Sequence, residues 1–316
     1  MKLIRKEFIF NDPLPTPECH ASTVITLEDG GAIAAWFGGT KEAEPDVSIW
    51  CSRRENGVWS EPKTVSPEQN IQHWNPVLFK TDADTVSLFY KVGFPISDWK
   101  TMVITTRDGG RTWSNPTELV ENDTSGGRGP VKNKPLLISN RNILAGGSTE
   151  RGAWRCFVDV FDGKTWQKKD IPVNAPDAEK LSVIQPTLWE SREGYIHALM
   201  RSNQGKIYRS DSLDFGNTWS EIYPTDMPNN NSGIDCVMTD SGTLILVCNP
   251  VSKDWGARSP LTVFTSADNG KTFEKQLDLE CEEGEFSYPA VISKGNRIFI
   301  TYTYKRKKIA YCELEL

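Results

Sequence analysis

Six polar residues open comparable short runs along the chain: His20, Asn75, Lys134, Gln185, Asp235 and Tyr288. Four of the runs read x-Pro-x-hydrophobic: Asn75-Pro76-Val77-Leu78, Lys134-Pro135-Leu136-Leu137, Gln185-Pro186-Thr187-Leu188 and Tyr288-Pro289-Ala290-Val291. The other two, His20-Ala21-Ser22-Thr23-Val24 and Asp235-Cys236-Val237, lack the proline. Proline is tolerated at the first residue of a strand, so each run reads as a strand whose first side chain is polar. Packing alone would put small or apolar residues there, and six polar ones instead point to a binding site. The strands that follow end in Gly38-Gly39-Thr40-Lys41-Glu42, Lys91, Glu150, Arg201, Asn249 and Tyr304-Lys305-Arg306, and a later loop adds Arg258. Arg201, Arg258 and Arg306, with Lys134, make a locally positive site. A planar guanidinium fork suits bidentate binding of a carboxylate, sulfate or phosphate. Trp74 and Trp99 read either as sugar-stacking surfaces or as packing anchors.

The elements that position these residues follow from a repeat. Thr106-Arg107-Asp108-Gly109-Gly110-Arg111-Thr112-Trp113 recurs as Ser212-Leu213-Asp214-Phe215-Gly216-Asn217-Thr218-Trp219 and as Ser266-Ala267-Asp268-Asn269-Gly270-Lys271-Thr272-Phe273. Weaker copies are Glu55-Asn56-Gly57-Val58-Trp59 and Asp162-Gly163-Lys164-Thr165-Trp166. The closing aromatics fall at 59, 113, 166, 219 and 273, at intervals of 54, 53, 53 and 54. In such a box Asp accepts hydrogen bonds from the turn and Gly takes a positive φ, so it reads as a hairpin turn and not as catalytic machinery. Each repeat also carries several β-rich runs, such as Thr85–Tyr90 and Thr243–Val247, and no stretch has helical periodicity. Four strands in about 53 residues is the arithmetic of a propeller blade. The 316 residues then form one all-β domain, 1–316, a six-bladed β-propeller of four-stranded antiparallel blades. The sixth box would fall past residue 316, so the N-terminal run Leu3–Phe10 is expected to supply the missing outer strand and close the ring.

Composition excludes other classes. The net charge is −6 with no basic block, which argues against a nucleic-acid partner. No apolar run approaches the ~18 residues of a membrane span, and the N-terminus has no apolar leader segment. Seven irregularly spaced cysteines with no CxxC pair suggest neither a disulfide framework nor a zinc site, and predict buried thiols in a reducing, cytoplasmic compartment. Cys19 and His20 are adjacent, but neighbours in a strand face opposite ways, which disfavours a Cys/His dyad. His20, His73 and His197 are the only histidines, and Gly126-Gly127-Arg128-Gly129 lacks the Lys-Ser/Thr of a phosphate loop. No metal or other cofactor is expected.

The [ST]-x-D-x-G-x-T-[WF] boxes resemble the Asp-box (BNR) repeats of the sialidase superfamily, and the resemblance runs through nearly the whole chain. It implies the six-bladed sialidase fold and a site with an arginine triad, a Tyr nucleophile assisted by a Glu, and an acidic acid/base. Arg201 and Arg258 fall at the second and third triad positions, Tyr288 at the nucleophile and Glu42 near the acid/base. Two positions depart from the pattern. His20 stands where the first triad Arg belongs, and Gln185 replaces the Glu beside the Tyr. The resemblance therefore implies a divergent member: an exo-acting glycoside hydrolase for a terminal acidic sugar of a glycan. In it Glu42 is the general acid, Tyr288 the nucleophile or transition-state stabiliser, and His20 or Asp235 a base. Arg201, Arg258, Gln185, Lys134, Asn75, Asn249 and Arg306 bind substrate. A polysaccharide lyase cleaving beside a uronate, with His20 and Tyr288 as base and acid, and a non-catalytic glycan-binding propeller are the alternatives.

Overall fold

In the computed structural model, which describes residues 1–174 and 178–316, the chain forms six antiparallel sheets arranged as blades of one ring. Blade one contains Glu18–Thr26, Ala32–Gly39 and Ser48–Glu55, with Val58–Trp59 and Lys63–Thr64 sharing the outer position. Blade two runs His73–Lys80, Val86–Val92, Lys100–Thr106 and Thr117–Glu118, and blade three Leu136–Leu137, Ile143–Thr149, Arg155–Phe161 and Trp166–Asp170. Blade four runs Val183–Arg192, Tyr195–Ser202, Lys206–Ser212 and Tyr223–Pro228, and blade five Asp235–Met238, Leu244–Cys248, Leu261–Ser266 and Glu274–Glu280. Blade six is Phe286–Lys294, Arg297–Tyr304 and Lys308–Glu315, completed by Lys2–Phe8 from the other end of the chain. That strand pairs from Lys2↔Glu315 to Phe8↔Ala310, which closes the ring as expected. Its Glu7 also accepts from Arg54 and Trp59 of blade one, so the closing strand ties blade six to its neighbour.

The inner strands are apolar on both faces because each blade is sandwiched between two others. In Ala32–Gly39, Ile33, Ala35 and Phe37 pack with Leu78, Leu88 and Ile104 of blade two. The alternate residues Ala34 and Trp36 pack with Ile309 and Tyr311 of blade six. Similar layers join blades three and four, four and five, and five and six. Each fully buried Leu, Ile or Val in such a layer contributes roughly 1.5–3 kcal/mol. The joint between blades two and three is thinner and more polar. Trp74, Trp99 and Val131 form its apolar cluster, Arg128 grips the buried Asp159, and Lys91 donates to Thr101 and to the Arg128 carbonyl. Trp74 and Trp99 are buried, with indole N–H groups bonded to Gly93 and Gly126 carbonyls, so they are anchors and not sugar platforms.

The boxes are the turns they were expected to be. Asp214 accepts from the Thr218 N–H and hydroxyl and from the Ser212 hydroxyl, and Asp108 and Asp268 repeat the pattern. Gly110 and Gly216 have φ of 87° and 82°, and a Cβ there would press on Ile33 and Leu144 of the preceding blade. An arginine of the preceding blade also caps the turn: Arg53 donates to the Gly109 carbonyl and Arg209 to the Asn269 carbonyl. His197 belongs to this clamp, stacked on Trp189 and bonded to Asp211 and Asn269.

Burial opposes ionisation of Asp214, but its hydrogen bonds to Thr218 and Ser212 outweigh it and hold the carboxyl below the usual aspartate range. A depressed folded-state pKa gives stability that is complete above the ordinary value near ~3.9 and is lost as pH falls through the folded value. Asp214→Ala should cost about 1–3 kcal/mol at neutral pH, the worth of hydrogen bonds to a charged group, and the difference from wild type should shrink in acid. Urea denaturation at neutral and acid pH measures both.

Candidate active site

Antiparallel order puts the start of each inner strand and the end of the next strand on one face of the ring, opposite the boxes. Four inner strands begin with a β-bulge. The register shifts between His20 and Thr23, Trp74 and Val77, Ile184 and Thr187, and Ser287 and Ala290. The bulge turns a residue into positive φ: Ala21 at 54°, Asn75 at 38°, Gln185 at 57° and Tyr288 at 54°. Each is followed by Pro or Ser, so the x-Pro signature marks a bulge and not the first strand residue. Blade one is one residue out of the expected register, since Ala21, not His20, is the equivalent of Tyr288.

Tyr288 is the centre of the site. Its hydroxyl accepts a hydrogen bond from Arg201 at 2.7 Å, and its ring lies 5.5 Å and 5.6 Å from the Arg201 and Arg258 guanidinium carbons. The His20 ring is 4.2 Å away, and the Lys132 ammonium is 5.9 Å from the ring centre. Gly233 passes over the phenol so closely that a Cβ would meet it at 3.1 Å. Burial, and then the charges of Arg306, Arg258, Arg201 and Lys132, push His20 well below the usual histidine range. It is a neutral imidazole at physiological pH, and its Nδ1 is buried without a partner.

The three arginines are held differently. Arg306 donates to Glu42 and, at 2.8 Å, to Glu285. Arg258 donates to the same Glu285 oxygen at 2.6 Å. Burial works against ionisation of Glu285, but the Arg258 and Arg306 charges prevail and hold it below the usual carboxylate range. Arg201 is buried and has no carboxylate partner among the described residues, and its Nε is unpartnered. An unpaired guanidinium shielded from water is costly unless an anion meets it.

Two ring residues do something other than expected. Asp235, 1% exposed, accepts from Lys134, Thr187, and the N–H groups of Cys236 and Val291. It pins blades three, four, five and six together and has no free oxygen for base chemistry. Lys134 is neutralised by Asp235 and also donates to the Cys236 carbonyl, so it adds no free charge to the site. Asn249 likewise spends its amide N–H groups on the Pro260 and Phe286 carbonyls, which fixes the fifth blade to the sixth. The Asn75 side chain makes no hydrogen bond to a described residue, and Gln185 has a buried unpartnered Oε1. Cys19 is buried and its thiol is pushed up to about 12 by burial, which removes the Cys/His dyad. All seven cysteines are free, and Cys281 is exposed.

Several residues of the site escaped the sequence reading. Lys132 donates to Asn133 and to the Ile234 and Pro289 carbonyls at the axis, and burial pushes it down to about 7. The proline signature drew attention to Lys134, two residues on. Glu285, three residues before Tyr288, carried no motif. Trp154 lies 6.0 Å from the Arg201 guanidinium and makes an edge contact with Trp255, which is 63% exposed. Glu150, which the sequence placed at a strand end without giving it a role, is half-buried after Ile143–Thr149 and neighbours Arg201 and Glu42. Among the described residues, no group of His, Cys, Asp and Glu is arranged to hold a metal, and no helix is long and apolar enough to cross a membrane.

Residues 30–300 match a family described as BNR repeat-like domain. A search of the curated proteins gives no match. Among solved structures, the Hadza microbial sialidase Hz136 superposes with a TM-score of 0.78 at 16% identity, covering 95% of this chain and 66% of that one. A protein of unknown function from Dyadobacter fermentans gives 0.81 at 16% identity, covering 100% and 99%. The K499G mutant of NanB sialidase from Streptococcus pneumoniae gives 0.75 at 14% identity, covering 98% and 70%. These likenesses extend to the fold.

Proposed function

The chain belongs to the BNR repeat-like domain family, and from that premise we propose that it is an exo-acting glycoside hydrolase that removes a terminal acidic sugar from a glycan. The observation that carries this reading is the buried Arg201, without an acidic partner among the described residues, donating to the Tyr288 hydroxyl at 2.7 Å. A substrate carboxylate supplies the missing anion, with Arg258 as the second fork. Arg306, in the turn after Arg297–Tyr304, stands close enough to His20 to lead the charges acting on it. It thereby brings a third guanidinium to the place where the expected arginine is replaced. Tyr288 attacks the anomeric carbon, and Arg201 holds the charge on the phenol oxygen. With Gln185 unable to take the phenol proton, the neutral His20 is the base at hand. Trp255 offers a face at the rim for the rest of the glycan.

The test is release of free acidic sugar from a panel of sialosides and uronosides. Arg258→Lys keeps the charge but loses the fork, and should raise KM about tenfold, or ~1.4 kcal/mol, with little change in kcat. A second reading has one observation in its favour. A neutral His20 tilted against the Tyr288 ring at 4.2 Å, among arginines, also suits proton abstraction beside a uronate. That lyase reaction gives an unsaturated product absorbing in the ultraviolet, and hydrolysis does not. Tight binding without turnover across the panel would mark a glycan-binding propeller.

A further inference from the structure

The site holds four carboxyl groups whose hydrogen bonds sort them. Glu285 is gripped by Arg258 and Arg306, Glu42 by Arg306, and Asp235 by Lys134, Thr187 and two backbone N–H groups. Glu150 alone makes no hydrogen bond or ion pair with a described residue. Its position is fixed by the backbone: Thr149 pairs with Arg155 in the blade-three ladder, and Ser148 meets the backbone of Gln185. The charged groups facing it are Arg201 from blade four and Glu42 from the blade-one loop.

We propose that Glu150, and not Glu42, is the acid that protonates the departing oxygen, and that Glu42 is a positioning residue for Arg306. The proposal rests on the hydrolase reading above. The Glu42 carboxylate is taken up by the Arg306 guanidinium and is not free to meet a departing oxygen. A half-buried carboxyl with both oxygens free, beside a second carboxylate, holds its proton more tightly than an exposed one. Burial, with Glu42 adding to it and Arg201 opposing, raises Glu150 above the usual glutamate range. In the first step the glycosidic C–O bond breaks and its electron pair stays on the leaving oxygen. That oxygen takes the Glu150 proton, the Tyr288 oxygen bonds to the anomeric carbon, and the phenol proton passes to His20. In the second step the Glu150 carboxylate takes a proton from the water that displaces Tyr288, and His20 returns its own.

The experiment compares two leaving groups on the acidic sugar that the wild type releases from the panel: a methyl glycoside, whose oxygen needs a proton, and a 4-nitrophenyl glycoside, which leaves without one. Glu150→Gln should lower kcat on the methyl glycoside by at least ~10²-fold and on the nitrophenyl glycoside by less than ~10-fold. It should also abolish the alkaline limb of the kcat/KM profile. Glu150→Asp should keep that limb with reduced kcat. Glu42→Gln should raise KM and leave both the leaving-group ratio and the limb unchanged. Each variant is first shown to unfold in urea like the wild type. Equal loss by Glu150→Gln on both substrates, or the leaving-group signature appearing in Glu42→Gln, would overturn the assignment and leave the hydrolase reading standing. Wild-type inactivity across the panel would overturn both.

Discussion

If Tyr288 is the proposed nucleophile, Tyr288→Phe should lose at least ~10²-fold in turnover while the ring stays folded and still binds the acidic sugar. The substitution removes one oxygen. That oxygen takes the Arg201 hydrogen bond at 2.7 Å and is the only group in the proposal that attacks carbon. The ring stays in place because its packing does not depend on the hydroxyl: His20 lies against one side, and Gly233 and Lys132 cover the ring. Arg201 then keeps its charge but loses its only hydrogen-bond acceptor among the described residues. Affinity for a carboxylate should hold or improve as kcat falls. Steady-state kinetics with isothermal titration separate the two quantities. Wild-type turnover in the variant would remove Tyr288 from the chemistry.

Asp235→Ala should destabilise the fold by about 3–5 kcal/mol, the usual cost of leaving one partner of a buried ion pair alone. The carboxylate is 1% exposed and joins four blades: Lys134 from the third, Thr187 from the fourth, its own Cys236 N–H and the Val291 N–H of the sixth. Without it, Lys134 is left with the Cys236 carbonyl, and the Val291 N–H with nothing. Urea denaturation reads the loss directly. A variant of full stability but no turnover would instead return Asp235 to the role of base.

The fold was legible because the boxes are local. Ser212, Asp214, Gly216 and Thr218 bond one another within seven residues, so spacing alone reveals the turn, and the 53-residue interval then counts the blades. The closing strand was legible by subtraction, since a sixth blade lacked its outer strand. The site was legible only in part. Tyr288, Arg201, Arg258 and Arg306 come together as their positions implied. Asp235 and Lys134 looked equivalent to them but are spent on bonds between blades. A polar residue at the start of an inner strand can face the ligand or the neighbouring blade, and one sequence does not say which.

The sequence by itself determined the ring: the number of blades and the strand that closes it. Those follow from short-range turn chemistry repeated at one period. Only the tertiary structure decided which of the site residues are free. That depends on pairings between residues about 100 apart or more, such as Lys134 with Asp235 and Glu42 with Arg306. A carboxylate held by a cation is engaged in the scaffold, whereas one left unpaired is free to meet a ligand. The same charges on the same strands thus become scaffold or site according to partners that no local spacing records.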